Sequence, residues 1–194
     1  MAGKRDQILQ AAVGTIAQSG VRGLRVEDIA TKAGVSTGLL YYHFKDRAGL
    51  LRATLDYIND RAGQHTARAL PTGSDAAGNP RAMLEQSLLL ELQDDEEVRE
   101  NSTAWGELRA SAVFEVELRD RLEGATSGWV REIAEWIEAA QQAGQARTDA
   151  DPDDVAERLT ALVEGLSERW LSGTLGLARA HALLRGAIVA ELGA

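Results

Sequence analysis

Gly38, Tyr41, Tyr42, His43 and Lys45 stand close together inside V-E-D-I-A-T-K-A-G-V-S-T-G-L-L-Y-Y-H-F-K-D-R-A-G-L-L, residues 26–51. On a helix successive residues turn by about 100°, so Ser36, Leu40 and Phe44 fall on one side while Gly38, Leu39, Tyr41 and Tyr42 project from the other. That second face is aromatic beside a residue with no side chain. It suits close approach to a nucleic-acid duplex, because phenol hydroxyls donate to phosphate oxygens and apolar atoms can touch thymine methyls. Tyrosines also commonly cover neighbouring helices, and spacing alone leaves that alternative open.

Two elements must hold such a face outward. Ile29, Ala30 and Ala33 give the preceding segment an apolar side, and Glu27 and Asp28 put carboxylates in its positive first turn. Gly34 can take the left-handed conformation that ends a helix, and Ser36 can cap a new one. Helix, turn, helix is therefore expected. Lys4 to Ser19 reads as a further helix, with Ile8, Ala12 and Ile16 at i, i+4 and i+8 and Gly20 as its stop. Together the three should bury Ile8, Ile16, Leu24, Ile29, Val35, Leu40 and Phe44. Lys4 and Arg5 oppose the helix dipole at the start, which fits either a flexible arm on phosphate or a solvated terminus. From Lys45 the chain can stay helical to about Leu70, along Leu50, Leu51, Leu55 and Ile58.

The pattern I-A-x-x-A-G-V-S-x-G-x-x-Y-x-H-F followed by K-x-R-x-x-L-L is carried by Ile29, Ala30, Ala33, Gly34, Val35, Ser36, Gly38, Tyr41, His43, Phe44, Lys45, Arg47, Leu50 and Leu51. It resembles the DNA-binding helix-turn-helix of the TetR family of transcriptional regulators. A match this long in one fixed spacing is far more specific than a lone short motif. With the first helix it covers residues 4 to about 52. Thr37, Gly38, Leu39 and Tyr42 are then the base-facing candidates. Arg25, Ser36, Tyr41, His43, Lys45 and Arg47 are the phosphate candidates. Arg25 departs from the threonine that commonly opens the first of these helices, and Arg47 from the lysine that many members carry; both keep or add positive charge.

Charge distribution agrees with a duplex partner. The chain of 194 residues has a net charge of −9, yet residues 1–50 hold seven Lys/Arg against four Asp/Glu, a balance of +3. The remainder, 14 against 26, is −12. A basic end on an acidic body restricts which face can approach phosphate. There is no cysteine, which removes disulfides and thiol catalysis. His43, His65 and His181 are scattered, and no zinc-protease, Walker or nucleophile-elbow motif is present, so neither an enzyme nor a metal or cofactor site is expected. No run has the length of a signal peptide's core or a membrane span, and a cytoplasmic protein is expected.

Beyond the tip the chain reads as helices throughout. P-T-G-S-D-A-A-G, residues 71–78, is a loop by composition; Asn79 then caps and Pro80 takes the first helical position, ahead of Met83, Leu84, Leu88 and Leu92. A further segment contains Trp105 and Leu108, and a long one from about Val116 ends at Gly144. Asp151-Pro152-Asp153-Asp154 combines a cap, a first-turn proline and carboxylates at the positive end. The helix it opens has Val155, Leu159, Leu162, Val163, Leu166 and Trp170 along one stripe, and Ala178 to Leu192 repeats the arrangement with Leu183, Leu184, Ile188 and Leu192.

The family resemblance implies a small-molecule pocket in the middle helices, for which Met83, Trp105, Leu108, Trp129, Ile133 and Trp136 are the candidates. Aromatic walls could hold an apolar or cationic ligand, although ordinary core explains any one of these tryptophans equally well. It also implies a symmetric four-helix dimer interface from the last two helices, for which Val155, Leu159, Leu162, Leu166, Trp170, Leu184 and Ile188 are the candidates. Burial within one chain would explain part of either stripe. The half from Trp105 onward, with Gly144 and D-P-D-D, is similar to the C-terminal domain of BetI-type members.

The expectation is an all-α protein: an N-terminal three-helix helix-turn-helix bundle over residues 1–48 and a larger helical ligand-binding and dimerisation domain over 49–194. It would act as a homodimer on a double-stranded palindromic operator and be released by a small-molecule effector. Recognition helices would enter major grooves about 34 to 36 Å apart. The alternative is an architectural DNA-binding dimer with a solid C-terminal module and no effector.

Overall fold

The computed structural model describes residues 3–71 and 78–193, and every regular element among them is helical. In chain order these are α1 (Lys4–Ser19), α2 (Val26–Lys32), α3 (Thr37–Phe44), α4 (Arg47–Ala69), α5 (Pro80–Leu90), α6 (Glu96–Ser111), a short 3-10 turn (Val116–Leu118), α7 (Arg119–Gln142), α8 (Pro152–Leu171) and α9 (Leu177–Leu192). The loop expected over residues 71–78 lies mostly outside the described residues. Among those described, no helix is long and apolar enough to cross a membrane.

Most boundaries follow from local chemistry. Gly20 ends α1 with φ 69°, where a side chain would be strained. The Asn79 carboxamide accepts from the Ala82 N–H at 3.1 Å and starts α5, and the Asp151 carboxylate accepts from the Asp154 N–H at 3.1 Å and starts α8. Each such cap is worth about 1 kcal/mol. α7 begins only at Arg119, because Val116–Leu118 winds as a tighter 3-10 turn.

The start of α4 also differs from the sequence expectation. The helix anticipated from Lys45 starts at Arg47 instead, because Lys45 takes φ 66° and ψ −55° and the Asp46 N–H bonds back to the Phe44 carbonyl at 2.8 Å. That is a γ-turn of the rare positive-φ kind. Asp46 then caps α4 by accepting from the Gly49 N–H at 2.6 Å. A Cβ on Gly49 would stand 2.1 Å from the Phe44 carbonyl oxygen, so only glycine permits this corner.

The chain packs as two units. One comprises residues 3–62 and 99–125, the other 63–71, 78–98 and 126–193. The division by packing does not coincide with the one read from sequence after residue 48, since the start of α4 and most of α6 share a core with the helix-turn-helix. In the first unit Ile8, Ile16, Ile29, Leu40, Leu50, Leu55 and Leu108 are all fully enclosed. Of the tip core expected from sequence, only Val35 is partly rather than fully buried. In the second unit Leu84, Leu88, Ile133 and Ile137 pack with the inner faces of α8 and α9.

Candidate nucleic-acid interface

α3 is built to show one face. The Ser36 hydroxyl accepts from the Leu39 N–H at 3.1 Å, which fixes the first turn. Leu40 and Phe44 then point inward, 0% and 5% exposed, and burying each contributes about 2 kcal/mol. The opposite face cannot reach that core. Tyr41 is 43% and Tyr42 81% exposed, and Thr37 and Gly38 lie at the surface beside them. A Cβ on Gly38 would meet nothing nearer than the Ser36 hydroxyl at 3.8 Å, so no internal packing demands glycine there. Leu39 is half-buried at the edge of the face. His43 is also half-buried, with Tyr42 edge-on to its ring at 5.5 Å.

The cations around this face are placed differently from one another. Lys45 is exposed at the strained corner after α3, and Arg25 is exposed at the residue preceding α2. Arg5 lies in the first turn of α1 with its guanidinium 5.6 Å from the Phe44 ring, and Lys4 binds Gln7 at 3.0 Å. Lys32 turns back along α1, its Nζ 2.6 Å from where a Cβ of Gly14 would be. Arg47 is engaged within the chain: its guanidinium donates to both Glu115 carboxylate oxygens at 3.2 Å and to the Val21 carbonyl at 2.8 Å. Sequence gave no sign of Glu115, 68 residues away.

The six expected pocket residues are divided between the units. Trp105 and Leu108 belong to the first, where Leu108 is fully enclosed and the Arg109 guanidinium lies 5.5 Å from the Trp105 ring centroid. Met83, Trp129, Ile133 and Trp136 belong to the second, where Ile133 is core and both tryptophans are partly buried against it. Sequence reasoning overlooked the acids in this second unit. Burial pushes the Glu91 carboxyl up to about 7, with a smaller upward contribution from Glu132 and an opposing one from the Thr66 hydroxyl, 3.4 Å from Glu91 Oε1. Burial also raises Glu132, helped by Glu135. Glu132 sits on α7 between Trp129 and Trp136 at helical spacings that put all three on adjoining faces. A carboxylate at the surface of α7 flanked by two indole-bearing positions, with a second, buried carboxyl that feels its charge, makes a setting suited to an organic cation. Among the described residues, no three His, Cys, Asp or Glu side chains converge as a metal would require.

The residues expected to cover a partner are placed otherwise. Val155, Leu159, Leu166, Trp170, Leu184 and Ile188 are each at most 7% exposed within one chain, and only Leu162 is partly open. α8 packs on α9 and α9 on α5, so both stripes are already used inside the chain. Outside, α8 and α9 expose charged residues such as Glu157, Arg158, Arg169 and Arg185, and between them small ones: Ala161 and Gly165 on one helix, Ala182, Gly186 and the half-exposed Val189 on the other.

Comparison with known proteins gives concordant matches. Residues 8–54 match the model for bacterial regulatory proteins of the tetR family, and residues 80–193 match that for the C-terminal region of BetI-type transcriptional repressors. The regulator BetI of Burkholderia thailandensis is 28% identical over 89% of this chain and 82% of its own length. TtgR of Pseudomonas putida is 30% identical over 86% and 80%. A structure described as a TetR-family regulator from Rhodococcus sp. superposes with a TM-score of 0.89 at 51% identity, covering all of both chains. A regulator from Saccharomonospora viridis, solved in complex with choline, gives 0.83 at 27% identity over 97% of this chain and 96% of its own.

Proposed function

The chain belongs to the TetR family of DNA-binding transcriptional regulators, and from that premise we propose that it is a repressor: a homodimer holding a palindromic operator through two copies of α3 and releasing it when a small molecule occupies the body. The observation that carries this reading is the exposure of Tyr42, 81%, on a capped helix beside Gly38. Thr37, Gly38, Leu39 and Tyr42 would meet base edges; Arg25, Tyr41, His43 and Lys45 would meet phosphate. Ser36 can join them, because a hydroxyl that accepts from Leu39 N–H retains its own hydrogen to donate. Arg47 is left out of this set on account of its intramolecular bonds. A cytoplasmic location goes with the role.

The dimer would form on the outer faces of α8 and α9, along the line of small residues that includes Ala161, Gly165, Ala182 and Gly186. A Cβ at Gly165 or Gly186 would meet nothing within 4 Å, so two such faces could approach closely. The effector would be an organic cation, neutralised by Glu91 and Glu132 and stacked on Trp129 or Trp136. The choline-bound neighbour supports that class. Release requires only that the ligand bind more tightly to the state whose reading heads no longer match the groove spacing. The test is enrichment of duplexes from a random pool, followed by a screen of organic cations for release. Failure to enrich any sequence at low ionic strength would end the DNA reading; release by neutral or anionic compounds alone would end the cation reading.

A further inference from the structure

The end of α6 and the segment after it grip the loop before α2 at three points. Glu107 accepts from the Val21 N–H at 3.2 Å, and its carboxylate fills the space where a Cβ of Gly20 would sit, 2.7 Å away. Arg47 bridges Glu115 and the Val21 carbonyl. Arg22 lays its guanidinium 5.4 Å from the Phe114 ring centroid. The gripping turn is itself fixed, because Arg119 donates to the Ala112 carbonyl at 3.0 Å and to the Val113 carbonyl at 2.9 Å. Both backbone groups of Val21 are thus held by side chains distant in sequence, and all these residues lie in one packed unit. α2 begins a few residues later behind Arg25, which supplies no side-chain cap, so little local chemistry fixes where that helix starts. The Arg47–Glu115 pair is too exposed, at 39% and 30% of its side chains, to add much stability. Its value lies in orientation.

We propose that Glu107, Arg47 and Glu115 form a clasp that sets the placement of α2 and α3, and that Arg47 is a positioning residue rather than a phosphate ligand. This rests on the DNA-binding reading but makes a prediction of opposite sign from simple electrostatics. Removing a carboxylate near DNA should ordinarily strengthen binding, and it would also free Arg47 to reach phosphate.

The experiment compares full-length wild type with Glu115→Gln and Glu107→Ala on a selected operator and on a non-specific duplex across a salt series, alongside hydrogen exchange at the Val21 amide. The clasp predicts that Glu115→Gln weakens operator binding by on the order of tenfold, the scale of one misplaced charge-assisted contact. Non-specific binding and the salt slope should hold, and Glu107→Ala should speed exchange at Val21. A merely destabilised fold would lower both duplexes together, and that outcome overturns the proposal. So does tighter operator binding by Glu115→Gln, since Arg47 would then be a phosphate ligand held in reserve. If wild type binds no duplex, the DNA reading has failed, and unchanged Val21 exchange in Glu107→Ala would show separately that no clasp exists.

Discussion

The outer face of α3 and the stripes of α8 and α9 pose the same question and receive opposite answers. Each has large apolar or aromatic residues at helical spacing, with either an internal or an external partner to choose. On α3 the tyrosines stay out; on α8 and α9 nearly the whole stripe turns in. The difference comes from how much surface lies behind each helix. α3 is a short helix whose inward side is filled by Leu40 and Phe44, so further aromatics have nothing left to cover. α8 has twenty residues, and its stripe at Val155, Leu159, Val163, Leu166 and Trp170 finds α5, α7 and α9 within the same unit. Aromatic character at a helix surface therefore marks a contact site only when the core behind that helix is already complete.

The largest effect expected is at the α8–α9 stripe. Leu184→Ala should cost about 3 kcal/mol, as for a fully buried leucine. Denaturant unfolding should show the same loss at every protein concentration; a cost that grows with concentration would mean that Leu184 faces a partner. Gly49→Ala comes next, because its methyl would enter the van der Waals shell of the Phe44 carbonyl oxygen. A loss of about 2 kcal/mol is expected. The melting temperature should fall, and operator binding should weaken with it as α3 loses its fixed end.

Tyr42→Ala should leave unfolding within about 0.5 kcal/mol while weakening operator binding on the order of tenfold. A large loss of stability instead would place the tyrosine in the core. Lys45→Gly sharpens the same point. Glycine tolerates φ 66° more easily, so stability should hold or rise by up to about 1 kcal/mol. The slope of log affinity against log salt should meanwhile flatten by about 0.9, one phosphate contact. An unchanged slope would remove Lys45 from the interface.

The pH-dependent effect concerns Glu91. Its carboxyl titrates at about 7 in the fold against 4.5 as the ordinary value, so the folded state holds the proton more tightly. The group's cost to stability is absent below 4.5, grows as pH rises, and is complete above about 7. Glu91→Gln should raise the melting temperature by a few degrees at about pH 8 and hardly at all at about pH 4. It should also weaken release by organic cations. A gain at acid pH rather than alkaline would contradict the burial of this carboxyl.

What neighbours in the chain can settle was already legible in the order of residues. Gly20, Ser36, Asn79 and Asp151–Pro152 placed helix ends because caps and φ limits act within a few residues, and the spacing of Ile8, Ile16, Ile29, Leu40 and Phe44 named the tip core because one helical period decides it. The long fixed motif was enough to reach the family. Tertiary structure decided everything that depended on which surfaces meet. It tied Arg47 to Glu115 and Val21, kept the α8 and α9 stripes inside one chain, divided the tryptophans between two units, and shielded Glu91 beside Glu132. A side chain's period tells which way it points along its own helix. Whether anything stands there to receive it is fixed by residues far away in the chain.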